Sequence, residues 1–446
     1  MSDQIREDDL NASTRHPLDW HKSEFYDEED LFSELGRVFD ICHGCRRCIS
    51  LCNAFPMLFD AIDDSESGEA DSLDRAIQWQ VVDHCYLCDV CYETKCQYVP
   101  PHSFNLDFPH LMLRAKAVKF RKGNTRLRDR IITCTDLVGK LASIPVINTV
   151  VNTVNHSVIG RKVLDAVMEI HPDAILPEYH SDTLARRLKK HRPSALIKIQ
   201  RGTTTTGKVI LFGTCYGNYN EPTVGEDLVK VFEHNRILVR FMENSQCCGM
   251  PRLELGDLIG VATAKEYNVP RLAALVDDGW DIVAPIPSCV LMFKQELPLM
   301  FPDDPIMAKV QAAFFDPFEY LMMRYKDNLF NTDFKQSLGR VAYHVPCHLR
   351  VQNLGLKTRE CLELIPDTKV EAIERCSGHN GTYTVKREFH EISLKIAKPL
   401  INRVIKLAAD WYSSDCPMAA RQIENLSEEK KSPVSPMTLL RMAYGL

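Results

Sequence analysis

Short apolar runs alternate with longer segments of mixed polarity over the second half of the chain. The runs at 208–215 and 340–347 each predict a buried strand that ends in a cysteine. Two further runs, at 236–241 and 369–373, lead into cysteine–glycine turns. Buried strands that alternate with helical segments are typical of a parallel α/β sheet. The pattern therefore predicts two similar α/β domains, at 207–335 and 336–446.

The two predicted domains carry cysteines in the same order and at nearly constant offset. A third predicted strand in each half runs into a cysteine as well. The matching positions lie 132, 129 and 127 residues apart. Three markers at this spacing indicate a duplicated domain. The pairs are Cys215 with Cys347, Cys247 with Cys376, and Cys289 with Cys416.

The first half of the chain has a different pattern. Helical periodicity at 30–41 and 72–82 predicts a mostly helical domain over 35–115, preceded by a polar, acidic extension at 1–34. We expect this extension to pack on the helical domain late in folding or to stay mobile. The fold class is thus α+β and multidomain: a mostly helical first domain followed by two similar α/β domains.

A connector at 116–206 separates these parts. Eight basic residues and one acid occupy 114–130, and an apolar stretch at 137–159 follows. Lys140 and three asparagines interrupt that stretch, which predicts amphipathic helices rather than a membrane span. Such helices can lie on a membrane surface or pack within the protein, and packing is the expectation. A Gly/Thr-rich linker at 201–207 predicts the next domain boundary.

Composition narrows the function classes. The 446 residues carry a formal net charge of -6, whereas nucleic-acid-binding proteins are usually basic. The N-terminus lacks the apolar core of a signal peptide, and no run of eighteen apolar residues predicts a transmembrane helix. We therefore expect a cytoplasmic protein, with peripheral contact at the inner face of the membrane left open. Its seventeen cysteines should be reduced and able to bind metal.

Eight of these cysteines form two motifs in the helical domain. Three thiolates at steps of three residues let one loop wrap an iron–sulfur cubane, while a distant cysteine reaches the fourth iron. Structural zinc sites, the alternative, are usually built from CxxC pairs and need no third cysteine at this step. The spacing therefore favours two [4Fe-4S] clusters. The motifs are Cys42-x2-Cys45-x2-Cys48-x3-Cys52 and Cys85-x2-Cys88-x2-Cys91-x4-Cys96.

In two-cluster ferredoxins the fourth cysteine of each motif ligates the other cluster. The same logic predicts crossed ligation here and places the clusters close together, as electron transfer requires. One predicted ligand set is Cys42, Cys45, Cys48 and Cys96, and the other is Cys85, Cys88, Cys91 and Cys52.

The duplicated halves offer further candidate cofactor ligands at the carboxyl ends of their predicted strands, where α/β proteins bind ligands. The four thiols of the first half can hold a cubane cluster, and we expect this half to exchange electrons with the acceptor. The three of the second half can hold a cluster with an open iron, a zinc ion or nothing. His344, His348 and His379 lie near them, as ligands or as ordinary polar residues. The candidates are Cys215, Cys247, Cys248, Cys289, Cys347, Cys376 and Cys416.

This arrangement resembles the duplicated cysteine-rich CCG domains of heterodisulfide reductase. With a two-cluster ferredoxin domain in front, it is similar to the iron–sulfur C subunit of anaerobic glycerol-3-phosphate dehydrogenase. This sequence departs from the full CCG pattern in two respects. Ser377 stands where the second cysteine of the pair would be, and the closing CxxC of each half lacks one cysteine. The five-cysteine cluster of heterodisulfide reductase is therefore not expected.

The resemblance implies an iron–sulfur electron-transfer subunit of an oxidoreductase complex. Such a subunit passes electrons from a flavoprotein dehydrogenase, or another redox protein, to a quinone, disulfide or protein acceptor. We find no G-x-G-x-x-G motif after a strand and no Walker lysine motif, so partner proteins are implied. The alternative is a zinc- or thiol-based redox sensor or scaffold.

Overall fold

The computed structural model describes residues 15–193, 197–426 and 432–446. The chain divides into two compact units. The first contains the residues up to Thr125 together with Leu253–Leu258 and Leu299–Pro302, and the second contains Arg126–Arg252, Ile259–Pro298 and Asp303–Leu446. The first fourteen residues of the expected polar extension lie outside the described residues.

The first unit is helical, as its periodicity predicts. Asp27 caps its longest helix, because the side chain accepts a hydrogen bond from the amide of Asp30. Leu31, Leu35 and Phe39 lie four residues apart on one face of this helix and are fully buried. Short 3-10 turns lie at Glu24–Tyr26 and Ala70–Ser72. The helices are α1 Glu28–Cys45, α2 Ala54–Asp63, α3 Arg75–His84, α4 Val90–Thr94 and α5 Phe108–Arg121.

The described part of the N-terminal extension is anchored rather than loose. The Arg15 guanidinium donates to the carboxylates of Asp89 and Asp107 over 2.8 to 3.3 Å, with only 6% of its side chain exposed. The Trp20 indole donates to the carbonyl of Met300 at 2.9 Å. From residue 15 onward the extension is thus a structural part of the first unit.

The second unit begins with five short helices, which lie within the expected connector. Three asparagines that interrupt its apolar stretch face inward: the Asn152 amide donates to the Tyr179 carbonyl at 2.8 Å and accepts from the Tyr179 amide at 3.0 Å. Asn148 also donates to this carbonyl, and Asn155 donates to that of Pro177. The helices are α6 Leu127–Thr133, α7 Thr135–Ala142, α8 Ile147–His156, α9 Val158–Met168 and α10 Leu184–Leu188.

Many large apolar side chains of these helices face outward. Twelve of the twenty large apolar side chains that are exposed in the described ranges lie between residues 127 and 167. No single helix among the described residues is long and apolar enough to cross a membrane, although α7 and α8 together reach that length with a bend of 107°. The twelve are Leu127, Ile131, Leu137, Leu141, Ile144, Val146, Ile147, Val150, Val158, Ile159, Val163 and Val167.

The first cysteine-rich half is built on a parallel sheet of order β2-β1-β3-β4. Its strands are β1 Lys208–Leu211, β2 Leu238–Phe241, β3 Asp281–Val283 and β4 Phe314–Phe315. The central strand β1 pairs with β2 at Ile210↔Arg240 and with β3 at Ile210↔Ile282. A π-helical turn lies at Met292–Glu296. The helices are α11 Cys215–Tyr219, α12 Pro222–His234, α13 Met250–Leu255, α14 Leu258–Asp277, α15 Pro287–Leu291, α16 Leu297–Met300, α17 Pro305–Ala312 and α18 Pro317–Lys326.

The second half repeats this arrangement with a parallel sheet of order β6-β5-β7, so its first strand is again central. The strands are β5 Gly339–His344, β6 Thr368–Ile373 and β7 Trp411–Ser414. The shared order confirms that the two halves are a duplication with the predicted strands. The helices are α19 Cys347–Arg350, α20 Lys357–Leu362, α21 His390–Leu407, α22 Pro417–Leu426 and α23 Pro436–Tyr444.

One hydrophobic core runs through both halves. Phe232 of α12 and Leu440 of the final helix α23 belong to the same buried cluster as Leu321 of α18 and Val341 of β5. The last helix of the chain therefore packs on the first half, against α12. Because they share buried side chains, the two halves are expected to unfold as one cooperative unit.

Two glycines of the first unit allow a test of how closely the chain packs there. Gly256 and Gly123 both adopt a left-handed backbone, with φ of +88° and +77°. A Cβ at Gly256 would lie 2.4 Å from the Lys116 carbonyl, whereas one at Gly123 meets no atom within 4 Å. We expect Gly123→Ala to cost about 1 kcal/mol through backbone strain alone, and Gly256→Ala to cost about 2–4 kcal/mol. Equal losses in the free energy of unfolding, measured by chemical denaturation, would contradict the close contact.

Candidate functional site

None of the seventeen cysteines forms a disulfide. Most are half-buried, and Cys85, Cys247, Cys248, Cys289 and Cys361 are buried. Reduced thiols in protected positions are potential metal ligands. Their grouping therefore decides what the chain can bind.

A first group of thiols lies at the end of α1. Cys42 and Cys45 are on its last turn, and the helix stops because Arg46 adopts the left-handed conformation, φ 53°. Burial raises the pKa of the Cys42 thiol, and three neighbouring thiols raise it further. They belong to Cys96, Cys48 and Cys45. The structure thus brings Cys96, the last cysteine of the second motif, beside the first three of the first motif.

A second group surrounds the start of α4. Leu87 and Asp89 adopt left-handed conformations, φ 50° and 60°, and turn the backbone between the cysteines of the second motif. Burial raises the pKa of the Cys91 thiol, and four neighbouring thiols add to the rise. They belong to Cys88, Cys85, Cys48 and Cys52. Cys52, the last cysteine of the first motif, therefore lies with the second motif, and Cys48 is a neighbour of both groups.

Cations surround these thiols. Burial raises the pKa of the Cys48 thiol to about 12, and the thiols of Cys96 and Cys45 act in the same direction, whereas Lys95 and Arg47 oppose the rise. Lys116, a buried residue of α5, donates a hydrogen bond to the carbonyl of Cys85. Positive charge at these positions stabilises thiolate ligands and any anionic cluster that they hold.

Arg46, Arg47 and Lys116 lie around this site, and sequence reasoning missed Lys116. Arg46 makes an ion pair with Asp63, and Arg47 donates to the Gln97 side chain at 2.6 Å. Lys116 lies within the basic run at 114–130 that was assigned to the connector. Its burial under the second motif depends on the packing of α5, which has no local sequence signal.

The four thiols of the first cysteine-rich half form a third group. Cys215 opens α11, the pair Cys247 and Cys248 precedes α13, and Cys289 lies in α15. The Cys215 and Cys247 sulfurs are 3.7 Å apart, and the Cys248 thiol is hydrogen-bonded to those of Cys247 and Cys289. Strands and turns distant in sequence therefore deliver four thiols to one buried place.

Two residues of connector helix α7 contact this third group. The Thr135 hydroxyl donates to the Cys247 sulfur at 3.3 Å, and the Asp136 carboxylate accepts a hydrogen bond from the Cys247 amide. Burial raises the pKa of Asp136 to about 6, and the Cys247 thiol acts in the same direction. Sequence reasoning missed both residues, because they lie more than a hundred residues before the cysteine that they contact.

The second half carries three cysteines, at positions that match those of the first half. The Cys376 thiol accepts a hydrogen bond from the Gly378 amide at 3.3 Å and lies 3.6 Å from the Asn380 side-chain oxygen. Cys347 opens α19, and Cys416 follows β7. Burial raises the pKa of the Cys376 thiol, and the Gly378 amide, the Asn380 side chain and Arg350 oppose the rise.

Three histidines of the second half were candidate ligands. The His344 ring bonds to the Ser414 hydroxyl at 2.9 Å and to the Arg375 carbonyl at 3.0 Å, so both of its nitrogens have protein partners. The His348 Nδ1 lies 2.8 Å from the Ser288 hydroxyl, and His379 is buried. Burial lowers the pKa of His344 and of His379 to about 4. The arrangement of His344 favours a structural role over a ligand role.

The donor sets fit an iron–sulfur cluster. Each group of the first unit offers four thiols, which is the ligand set of a [4Fe-4S] cluster and also that of a four-cysteine zinc site. The thiols raise one another's pKa because thiolates at this separation repel, and a positively charged metal core removes that repulsion.

Comparison with known proteins agrees with the duplication. The sequence model of the cysteine-rich CCG domain matches residues 209–294 and 341–424. The C subunit of anaerobic glycerol-3-phosphate dehydrogenase from Escherichia coli K12 is 27% identical over 341 residues, which cover 75% of this chain and 81% of that protein.

Lactate utilization protein A of Bacillus cereus strain G9842 is 31% identical over 235 residues, which cover 50% of this chain and 95% of that protein. The corresponding protein of Bacillus cytotoxicus is 31% identical over 216 residues. The chain therefore belongs to the family of duplicated cysteine-rich domain proteins that includes lactate utilization protein A, and it is also related to the C subunit of anaerobic glycerol-3-phosphate dehydrogenase.

Proposed function

We propose that this chain is an iron–sulfur electron-transfer subunit of an oxidoreductase complex. The observation that carries the proposal is that the Cys96 thiol is a neighbour of the first motif and the Cys52 thiol is a neighbour of the second. This proximity supports the crossed ligation that the spacing predicts. When bound, a [4Fe-4S] cluster accepts and releases one electron at a time. The similarity to a dehydrogenase subunit supports the same role.

The position of Cys48 favours clusters over independent zinc sites. Cys48 is an electrostatic neighbour of Cys42, in the first group, and of Cys91, in the second. Two structural zinc sites need no such proximity, whereas electron transfer between clusters depends on it. A zinc- or thiol-based redox sensor remains the alternative, and its metal content distinguishes it.

We assign the exchange of electrons with the acceptor to the first cysteine-rich half. Its four thiols satisfy a cluster, and the Thr135 hydroxyl is placed to donate to the Cys247 thiolate. The second half, with three cysteines, would leave one metal position open, which is a feature of catalytic metal sites. We therefore place the exchange site in the first half. If the second half exchanges electrons with the acceptor instead, the first half is a relay.

A membrane quinone is the acceptor that the connector supports best. Helix α7 contacts Cys247 through Thr135 and Asp136 on one side and exposes Leu137 and Leu141 on the other. An apolar surface of this extent marks an interaction site in a protein. A lipid surface at α7 would bring a dissolved quinone close to the third thiol group.

Charge favours an anionic bilayer as the occupant of this surface. Between residues 137 and 163 the chain has three basic side chains and no acid, and Lys140 and Lys162 are exposed. Lysines that flank an apolar face are attracted to anionic lipids. A quinone takes up two electrons and two protons to become a quinol, and the electrons come from a reduced flavoprotein or another redox partner.

Iron content and crossed ligation test the first unit. Anaerobically prepared protein should be brown and carry about eight irons in the first unit, at four per cubane. Cys52→Ser should remove the electron paramagnetic resonance signal of the group of Cys85, Cys88 and Cys91, because it supplies their fourth ligand. Cys134→Ser, outside every group, serves as the control. Zinc in place of iron contradicts the proposal, and loss of the other signal contradicts the pairing.

Substitution of Cys247 tests the exchange site. Cys247→Ser should lower the iron content of the second unit and slow reduction of a quinone analogue by about 10- to 100-fold, while both signals of the first unit persist. Cys376→Ser, in the second half, should have the smaller effect on the rate. The reverse order would assign the exchange reaction to the second half.

Vesicle binding tests the apolar surface. We expect Ile147→Asp with Val150→Asp to weaken binding to phosphatidylglycerol vesicles by roughly tenfold or more, because each change replaces a membrane-buried apolar side chain by a charge. The control is Ile259→Asp with Ile306→Asp, which changes two exposed isoleucines elsewhere. Vesicle binding is measured by flotation. The proposal is contradicted if the first double variant floats with the vesicles as well as the unmodified chain does, or if the apolar surface binds a partner protein but no vesicles.

A further inference from the structure

The segment after α9 lies against the start of α21. Ile170 forms an antiparallel bridge with Lys386, and the His171 amide donates to the Val385 carbonyl at 3.0 Å. These contacts bring together His171 and His390, which are 219 residues apart in sequence. Neither residue belongs to a cysteine group.

His171, His390 and Glu391 form a compact set of metal-ligating groups. One donor atom from each side chain lies within 4.8 Å of the other two. The two imidazole rings are stacked at 3.9 Å with an angle of 11°. His390 is buried and Glu391 is exposed, so the set lies at the surface with one protected member.

The hydrogen bond of His390 resembles that of a metal ligand. Its Nδ1 lies 2.8 Å from the Thr384 carbonyl, which can only accept, so Nδ1 carries the proton. Nε2 therefore keeps its lone pair. Metal-bound histidines commonly donate their other ring nitrogen to a carbonyl in this way, which fixes the tautomer and the ring orientation.

Charges near His171 are mixed, with carboxylates on several sides. Asp165, Asp173 and Glu391 all act to favour a positive charge there. Asp165 is paired with Arg387, and the Arg161 guanidinium donates to the His171 carbonyl. Burial and the facing His390 ring lower the pKa of His171.

We infer that His171, His390 and Glu391 bind a divalent transition-metal ion of the zinc type. Two imidazoles and one carboxylate are an established zinc donor set, with a fourth position left for water. Because the lone pairs of parallel rings do not converge, binding requires the rings to tilt from the stack. It also displaces the 3.2 Å hydrogen bond from the Asp173 amide to the His171 Nδ1.

The ion would fasten the connector to the second cysteine-rich half. His171 follows α9, which carries part of the exposed apolar surface, and His390 begins α21. Ion pairs already join these segments, among them Arg128 with Glu388 at 2.7 Å. A ligand that binds only the folded arrangement stabilises it in proportion to its affinity.

The experiment uses the full-length, cluster-loaded chain and Zn²⁺ as the probe. We expect about one zinc per chain outside the cysteine groups, with a nitrogen and oxygen shell in X-ray absorption at the zinc edge. Zinc should raise the melting temperature. His171→Gln and the exposed Glu391→Gln should each lower zinc affinity roughly tenfold or more and reduce the thermal shift. His156→Gln, an exposed histidine of the same connector, should behave like the unmodified chain.

Three results would overturn the inference: no bound zinc, a sulfur shell around the zinc, or unchanged zinc affinity in both variants. A sulfur shell would mean that zinc occupies a cysteine group instead. The iron content and the paramagnetic signals of the same samples report on the electron-transfer proposal separately. The two proposals can therefore fail independently.

Discussion

Thiols that are buried close together are the constraint on which the rest of this structure depends. Each thiolate in such a group repels its neighbours and loses hydration, as the raised pKa of Cys42 and of Cys91 shows. The folded chain must therefore supply compensation through cations such as Lys116, through amide donors, or through a bound metal core. The left-handed residues Arg46 and Leu87 bring the thiols to these positions by turning the backbone between them.

The two duplicated halves do not carry the same set of cysteines. Both use a central strand that leads into a cysteine, and both belong to one hydrophobic core. The first half gathers four thiols, while in the second half the Cys376 thiol accepts a hydrogen bond from the Gly378 amide and lies near Arg350. Duplication thus preserved the backbone scaffold, whereas the donor sets diverged. This difference in donor sets is compatible with one relay site and one site of different chemistry.

Local patterns predicted much of this fold. The strand Lys208–Leu211 was evident because a continuous apolar run that ends at a cysteine is a local signal. The contact between Asp136 and Cys247 was not predictable, since it depends on how the connector packs. The outward direction of the apolar connector side chains was not predictable for the same reason: periodicity identifies an apolar face but does not say which way it points. The domain boundaries and the ligand assignments stay predictions.

The connector helices expose apolar side chains that an ordinary surface helix would bury. In a soluble domain the apolar face of such a helix normally points to the core. Here Asn152 faces inward and exchanges two hydrogen bonds with the backbone of Tyr179, whose phenol lies near Cys215. The polar side of the connector helices therefore packs beside the third thiol group, and Val150 and its neighbours are exposed on the opposite side. One sequence feature, asparagines spaced through an apolar stretch, therefore both supports the third thiol group and leaves an apolar surface exposed on the opposite side of the connector.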